Sequence, residues 1–262
     1  MTVDDVELDL LTDTLRKATA SVSGPELHRV LVDLGWREML AEMPDTAIPL
    51  VFRMLGEHGT HAPLINDVVR HVADEPLDDP AALPYAGGGW VVWAATGDPG
   101  DGLDTELPLH RVGAGRPFPL AVPRQAIGWW LTGSARAMLG LARAHALDRV
   151  QFGRPVAGFQ AVRHRLAETL VAIEGAESAL ALASDDLSAL LAKAAAGQAA
   201  LTAGRHCQQV LGGIGFTAEH GLHRHIRRTL VLDGLLGSSR ELTAEAGRRA
   251  RARGSAPRLV HL

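Results

Sequence analysis

Ala146-Leu-Asp-Arg-Val-Gln-Phe-Gly-Arg-Pro155 is the stretch on which the fold turns. Arg149 falls where a helical pattern stops, a place that suits a cation because the helix dipole leaves its C-terminal end negative. Pro155 suits the start of the next helix, where a missing N–H is harmless. Beyond it, Phe159, Val162, Leu166, Leu170 and Ile173 recur at steps of three and four, which predicts one shared helix face. Ser184-Asp-Asp-Leu187 reads as a cap before Leu187, Leu190, Leu191 and Ala194. The spacing predicts helices over 125–148, 156–183, 185–211 and 219–235, with a shorter one from 238. Long helices with short connections form an antiparallel bundle.

The preceding residues differ in texture. Up to about residue 76 the chain reads as short helices. Ser23-Gly-Pro-Glu26 is a capping-box pattern for a helix to about Leu34, which Gly35 would end. Asp45 or Thr46 would cap a third helix through Leu55, and a fourth would cover 62–72. Between 77 and 123 prolines and glycines punctuate strand-like runs: Trp90-Val-Val-Trp93, Leu107 to Val112, and a run ending at Val122. The expected organisation is a helical segment over 1–76, a reduced β region over 77–123, a four-helix bundle over 124–250 and a basic tail over 251–262. The fold class expected is mainly α.

Of the 262 residues, 47% are apolar and 21% charged, which excludes wholesale disorder. A single cysteine, Cys207, excludes an intrachain disulfide and fits a reducing, cytoplasmic setting. The start, MTVDDVELDL, lacks the basic and apolar runs of a signal peptide, and no stretch approaches a membrane span. Residues 1–124 carry 20 acidic and 9 basic side chains, whereas 125–262 carry 10 and 17. The basic half suits a phosphorylated cofactor or an acidic partner. Scattered arginines and 4% aromatic residues argue against nucleic acid.

The histidine clusters (His58 and His61; His220, His223 and His225) lack metal-ligand spacing, so no metal is expected. Leu211-Gly-Gly-Ile-Gly-Phe216 follows a predicted helix instead of a strand, which argues against a Rossmann or P-loop cradle. As a lone motif it is a helix end and turn, although bare backbone amides there let an anion approach.

Together the two segments resemble the acyl-CoA dehydrogenase family. Arg149, Phe152, Gly153, Pro155 and Gln160 match its R-x-x-F-G-x-P/L-x-x-x-x-Q pattern. Gln209, Gly212, Gly213, Gly215 and Phe216 match its Q-x-x-G-G-x-G-[FY] pattern in the right order. The likeness covers about 125–250 well and reaches weakly into Leu31-Val-Asp-Leu-Gly-Trp36. It implies an N-terminal helical domain, a central β domain and a C-terminal bundle, with FAD oxidising an acyl-CoA thioester at its α,β-bond. Carried over by motif, it assigns FAD diphosphate and adenosine contacts to Arg149, Gln151 and Phe152, and contacts to the same FAD from a neighbouring subunit to Gln209, Gly212 and Gly213. A guanidinium and free amides suit a diphosphate.

The resemblance also marks departures. Where the family most often carries its catalytic glutamate this chain has Leu236, and leucine accepts no proton. Asp233 is the weak substitute candidate. The alternative glutamate position, at the start of the first bundle helix, also lacks an acid. Arg124 there matches an arginine of many members and is expected to face the active site or a partner, or to be a plain helix-start residue. Trp129-Trp130 replaces small residues, which either fills part of the usual pocket or packs the core. The central region is too short for a full β domain, and Trp93 to Gly97 keeps only a trace of its W-x-x-T-G pattern.

The expected function is a small, degenerate subunit of a heteromeric acyl-CoA dehydrogenase, of the type known from actinobacterial steroid breakdown. A full-length partner subunit would supply the glutamate and most of the flavin-ring site for an acyl-CoA substrate. The alternatives are a structural subunit without flavin, a stand-alone flavoprotein with altered chemistry, or a generic helical adaptor.

Overall fold

The computed structural model describes residues 5–73, 77–94 and 99–254, with side chains from Asp9 onward. Five helices come first: α1 (Asp5–Ser21), α2 (Gly24–Asp33), α3 (Trp36–Glu42), α4 (Pro44–His58) and α5 (Leu64–Val72). An antiparallel sheet follows, β1 (Ala82–Tyr85), β2 (Gly89–Trp93) and β3 (Leu109–Val112), in that spatial order. Then come α6 (Ala121–Asp148), a hairpin of β4 (Val150–Gln151) and β5 (Arg154–Pro155), α7 (Gln160–Ala181), α8 (Asp186–Leu211), α9 (Leu222–Gly234) and α10 (Ser239–Arg253). The fold is mainly α with a short strand segment.

Local chemistry sets the helix boundaries. The Asp185 carboxylate accepts the Ser188 amide at 2.7 Å while the Ser188 hydroxyl accepts the Asp185 amide at 2.9 Å, a reciprocal box that starts α8. Ser238 and Glu241 do the same for α10. Ser23 does not cap α2: its hydroxyl is engaged by the backbone of His61, accepting its N–H at 3.0 Å. Asp45 and Thr46 lie inside α4, which begins at Pro44 after the N-cap Met43. The run ending at Val122 forms no strand; Ala121 and Val122 instead open α6, with Pro123 tolerated in its first turn. Leu170 is 41% exposed, because Thr169 takes the inward place and bonds to His206 Nδ1 at 3.0 Å. Thr96 and Gly97, and the tail over 255–262, lie outside the described residues.

The core is continuous from the first helices into the bundle. α4 crosses α6 so closely that a Cβ on Gly56 would fall 2.3 Å from the Trp130 carbonyl oxygen, and one on Gly133 2.1 Å from that of Arg53. Only glycine permits backbones to meet this way. Around the crossing, Trp36, Phe52, Trp130 and Trp93 form a chain of rings with successive centroids 6.2, 5.9 and 5.6 Å apart. Trp130 is therefore core, and Trp129, buried in the same core, also lines a cleft of about 520 Å³ between α4, α5 and the ends of α6 and α7.

Arg228 of α9 fastens the sheet's long connection to the bundle. It is 1% exposed, and its Nε donates to Asp104 Oδ2 at 2.6 Å. Its Nη1 donates to the carbonyls of Gly59 and Thr60, and its Nη2 to Glu106. Burial and the Arg228 charge push His61 and His225 down to about 4, so both are neutral beside it. Removing one member of a buried pair strands the other charge. Arg228→Ala is expected to cost about 3–5 kcal/mol, and Arg224→Ala, at an exposed pair with Glu106, below about 1 kcal/mol. Urea unfolding of the two variants checks this contrast.

Candidate cofactor and substrate site

The antiparallel course of α6, α7 and α8 brings the C-terminal ends of α6 and α8 to one end of the bundle. The Arg149–Phe152 segment and the Gln209–Gly213 segment both emerge there. Burial holds the His145 imidazole at the end of α6 below its usual range, and His220, in the turn before α9, adds to that. Arg149, Gln151, Phe152, Gln209 and Gly213 are exposed, and Gly212 is partly so. Among the described residues, no hydrogen bond or ion pair occupies the side chains of Arg149, Gln151 or Gln209. Phe152 holds a left-handed backbone (φ 54°) at the hairpin tip and is 90% exposed. Its ring meets Phe159 edge-on at 6.1 Å, while the Arg154 guanidinium lies 4.2 Å over that same Phe159 ring.

Gly212 takes φ 63°, ψ −139°, a conformation essentially reserved for glycine. No atom lies within 4 Å of where a Cβ would stand on Gly212 or Gly213. An unpaired guanidinium, a free carboxamide and an open glycine turn fit the diphosphate of a dinucleotide.

The other candidate region is the turn between α9 and α10. Leu236 is 1% exposed and left-handed (φ 61°), followed by Gly237 at φ 99°. These conformations turn backbone carbonyls inward, where two buried cations receive them. Arg124 Nε donates to the Leu236 carbonyl at 3.2 Å. Lys193 Nζ donates to the Asp233 carbonyl at 2.6 Å and to that of Gly237. The Leu236 amide donates to the Pro84 carbonyl at 2.8 Å, so β1 is fastened to the same turn. Tyr85 adds a bond from its hydroxyl to the Val231 carbonyl at 3.2 Å.

The two positions at which the resemblance would put a glutamate are thus adjacent, and neither carries an acid. Asp233 is 9% exposed, and its carboxylate accepts the amide and hydroxyl of Ser239 at 3.1 and 3.3 Å. That use at the start of α10 leaves it poorly suited to remove a substrate proton. Arg124 points inward; beyond Leu236 it reaches Asp186 at 3.6 Å, and Asp186 also pairs with Arg249. Lys193, Tyr85 and Arg228 escape sequence reasoning. For Lys193 a signal exists: one of only two lysines, it interrupts the apolar run Leu190-Leu-Ala-Lys-Ala-Ala-Ala196.

Comparison with known proteins bears on both regions. The model of the acyl-CoA dehydrogenase C-terminal domain matches residues 118–250. Acyl-CoA dehydrogenase FadE34 of Mycobacterium tuberculosis is 40% identical over 135 residues, 45% of this chain and 19% of that protein. Acyl-CoA dehydrogenase IpdE2 of the same organism is 39% identical over 113 residues, 42% of this chain and 36% of that protein. The matches thus span about a fifth to a third of these relatives' length. Among solved structures, a variant of the Tcur3481–Tcur3483 steroid ACAD superposes with a TM-score of 0.75 at 20% identity, covering 95% of this chain and 99% of that one. A chain of the ChsE4–ChsE5 complex from Mycobacterium tuberculosis gives 0.62 at 18% identity, covering 98% and 99%. These structural likenesses establish the fold.

Burial pushes the Lys193 ammonium from the usual 10.5 down to about 7, with Asp233 opposing the shift and Arg124 adding to it. Between those values the unfolded chain binds a proton that the folded chain lacks, so stability rises with pH from about 7 towards 10. Urea midpoints at pH 7, 8 and 9 are expected to climb more steeply for the native chain than for Lys193→Met. Equal slopes would contradict the assignment.

Proposed function

The chain belongs to the acyl-CoA dehydrogenase family, and from that premise we propose that it is one subunit of a heteromeric, FAD-dependent acyl-CoA dehydrogenase. Its role is to hold the diphosphate and adenosine half of FAD, while a full-length partner supplies the catalytic glutamate and most of the flavin-ring site. The division into N-terminal helices, reduced β region and C-terminal bundle belongs to the same reading, as does a cytoplasmic location. The carrying observation is the contrast between the two regions. Arg149 and Gln209 are exposed and, among the described residues, unpaired, at the bundle end that carries the open glycine turn, whereas Leu236 is buried in a clamped turn.

When bound, FAD supplies a hydride acceptor for the β-carbon of the thioester. Arg149 would neutralise the diphosphate charge of one FAD, and Gln209 with the Gly212 and Gly213 backbone would donate hydrogen bonds to the FAD of a neighbouring subunit. Phe152, held apart from the core at its hairpin tip, would cover the adenosine side. Abstraction of the α-proton falls to the partner, since Leu236 has no basic atom and the Asp233 oxygens serve Ser239. Two of the similar structures come from proteins described as pairs, Tcur3481–Tcur3483 and ChsE4–ChsE5, which supports a two-chain assembly. The first is described as a steroid ACAD, which supports a bulky, steroid-derived acyl group as substrate.

Co-purification with an adjacent dehydrogenase-like protein tests the reading. The complex is expected to carry a flavin band that acyl-CoA bleaches, and the chain alone to show no bleaching. Arg149→Ala and Gln209→Ala are expected to lower FAD content of the complex by at least about tenfold in affinity, the scale of one lost charge-assisted bond. Unchanged FAD content in both variants would favour a purely structural subunit. Strong bleaching by the chain alone would favour a stand-alone flavoprotein.

A further inference from the structure

α6 begins without a side-chain cap. Its N-cap residue is Leu120, and no acid stands in its first turn. The Ala121 and Val122 amides therefore find no acceptor among the described residues, and the positive end of a 28-residue helix is left open. That end lines the cleft of about 520 Å³ between α4, α5 and the end of α7. Leu180 supplies a wall from α7. It packs so tightly onto α6 that a Cβ on Gly128 would stand 2.5 Å from its Cδ2. Ile48 and Pro49 of α4 supply the apolar wall opposite.

Trp129 lies two turns along the same face of α6 and is 9% exposed. Its indole N–H has no acceptor among the described residues. The indole nitrogens of Trp93 and Trp130 are sealed in the core, whereas that of Trp129 is not, and the surface this side chain keeps opens on the cleft. A largely buried donor of this kind calls for an acceptor from outside the fold. The other polar groups of the lining narrow the ligand. Gln125 spends its amide on the Ala183 carbonyl at 3.0 Å, and His71 adds an exposed imidazole at the rim. Asp45, exposed in the first turn of α4, is the one acid of the lining among the described residues. It disfavours a second negative charge on whatever binds.

We propose that this cleft binds a small amphipathic monocarboxylate, its flat apolar body between Trp129, Ile48 and Leu180, its carboxylate at the open amides of α6, and a neutral oxygen at its far end accepting the Trp129 N–H. The volume lies within the range of pockets that hold drug-sized ligands. Ala121 and Trp129 are eight residues apart, about 12 Å along the helix, so one carboxylate does not serve both sets of donors. A keto or ether oxygen across a fused ring system spans the gap. The site shares no residue with the hairpin tip or the glycine turn. Arg124, which meets the Leu236 carbonyl, points about 100° away from Gln125 around the helix, so the cleft is also distinct from the clamped turn. The proposal is therefore independent of the flavin reading.

Nitrogen-15 labelling of the five tryptophans gives a direct readout in the full chain. The Trp129 indole signal is the one lost in Trp129→Phe. Titration with 6-methoxy-2-naphthoate is expected to move that signal saturably, with a dissociation constant on the order of 1 mM or tighter. The matched alcohol, 6-methoxy-2-naphthalenemethanol, keeps the rings and loses the charge; it is expected to bind at least about fivefold more weakly. Ala121→Asp places an acid where the helix dipole favours one, so it is expected to keep the fold, read from the other indole signals, and to weaken the naphthoate at least about fivefold. Arg149→Ala, at the other end of α6, is expected to leave naphthoate binding unchanged whatever it does to FAD. A Trp129 signal that does not move, an alcohol that binds as tightly as the acid, or a folded Ala121→Asp chain that binds undiminished would each overturn the proposal.

Discussion

Three backbone carbonyls, on Asp233, Leu236 and Gly237, turn inward onto the side chains of Arg124 and Lys193. Much of the architecture depends on this arrangement. A left-handed leucine costs on the order of 1–3 kcal/mol and persists only where its surroundings fix it. Here the fixing groups come from α6 and α8, and the turn in turn holds β1 through the Leu236–Pro84 bond. Without the two cations, buried carbonyls would be left unpaired, an outcome that protein interiors avoid. A lysine with no exposed surface is itself unfavourable, and its depressed pKa records that cost.

The same clamp separates the molecule into two regions of opposite character. At the turn a buried leucine stands among polar groups that bond within the fold, Arg124, Lys193 and the Asp233 carboxylate. At the far end of α6 and α8, polar and aromatic groups stand free in solvent, and two backbone conformations there, at Phe152 and Gly212, are unusual. A sequence selected only for stability gains nothing from a 90% exposed phenylalanine in a left-handed conformation. On the proposed reading the open end is where the cofactor binds, and the clamped turn is where a general base is missing.

Much of this was legible in the residues. Periodicity located the four long helices within a few positions, and the two spaced motifs marked the end of the bundle where Arg149 and Gln209 emerge. Leu236 was conspicuous as an apolar residue at a position of expected chemistry. Other features depend on contacts that no local pattern encodes. Thr169 displaces Leu170 from the inward face because His206, 37 residues away, supplies a hydrogen bond. Ser23 abandons its cap for His61. The β1 strand, interrupted by Pro84, is a strand because β2 pairs with it and Leu236 bonds to it. Lys193 is held inside by the turn between α9 and α10, which closes over it and accepts its hydrogen bonds.

The central claim is that proton abstraction belongs to a second chain. The most direct measurement is the rate at which acyl-CoA bleaches the flavin of the two-chain complex when the partner's catalytic glutamate is replaced by glutamine. With no base at Leu236 and the Asp233 carboxylate engaged, the rate is expected to fall by at least about 100-fold, the scale of a lost general base. A rate that stays near that of the native complex would place the base in this chain and contradict the account.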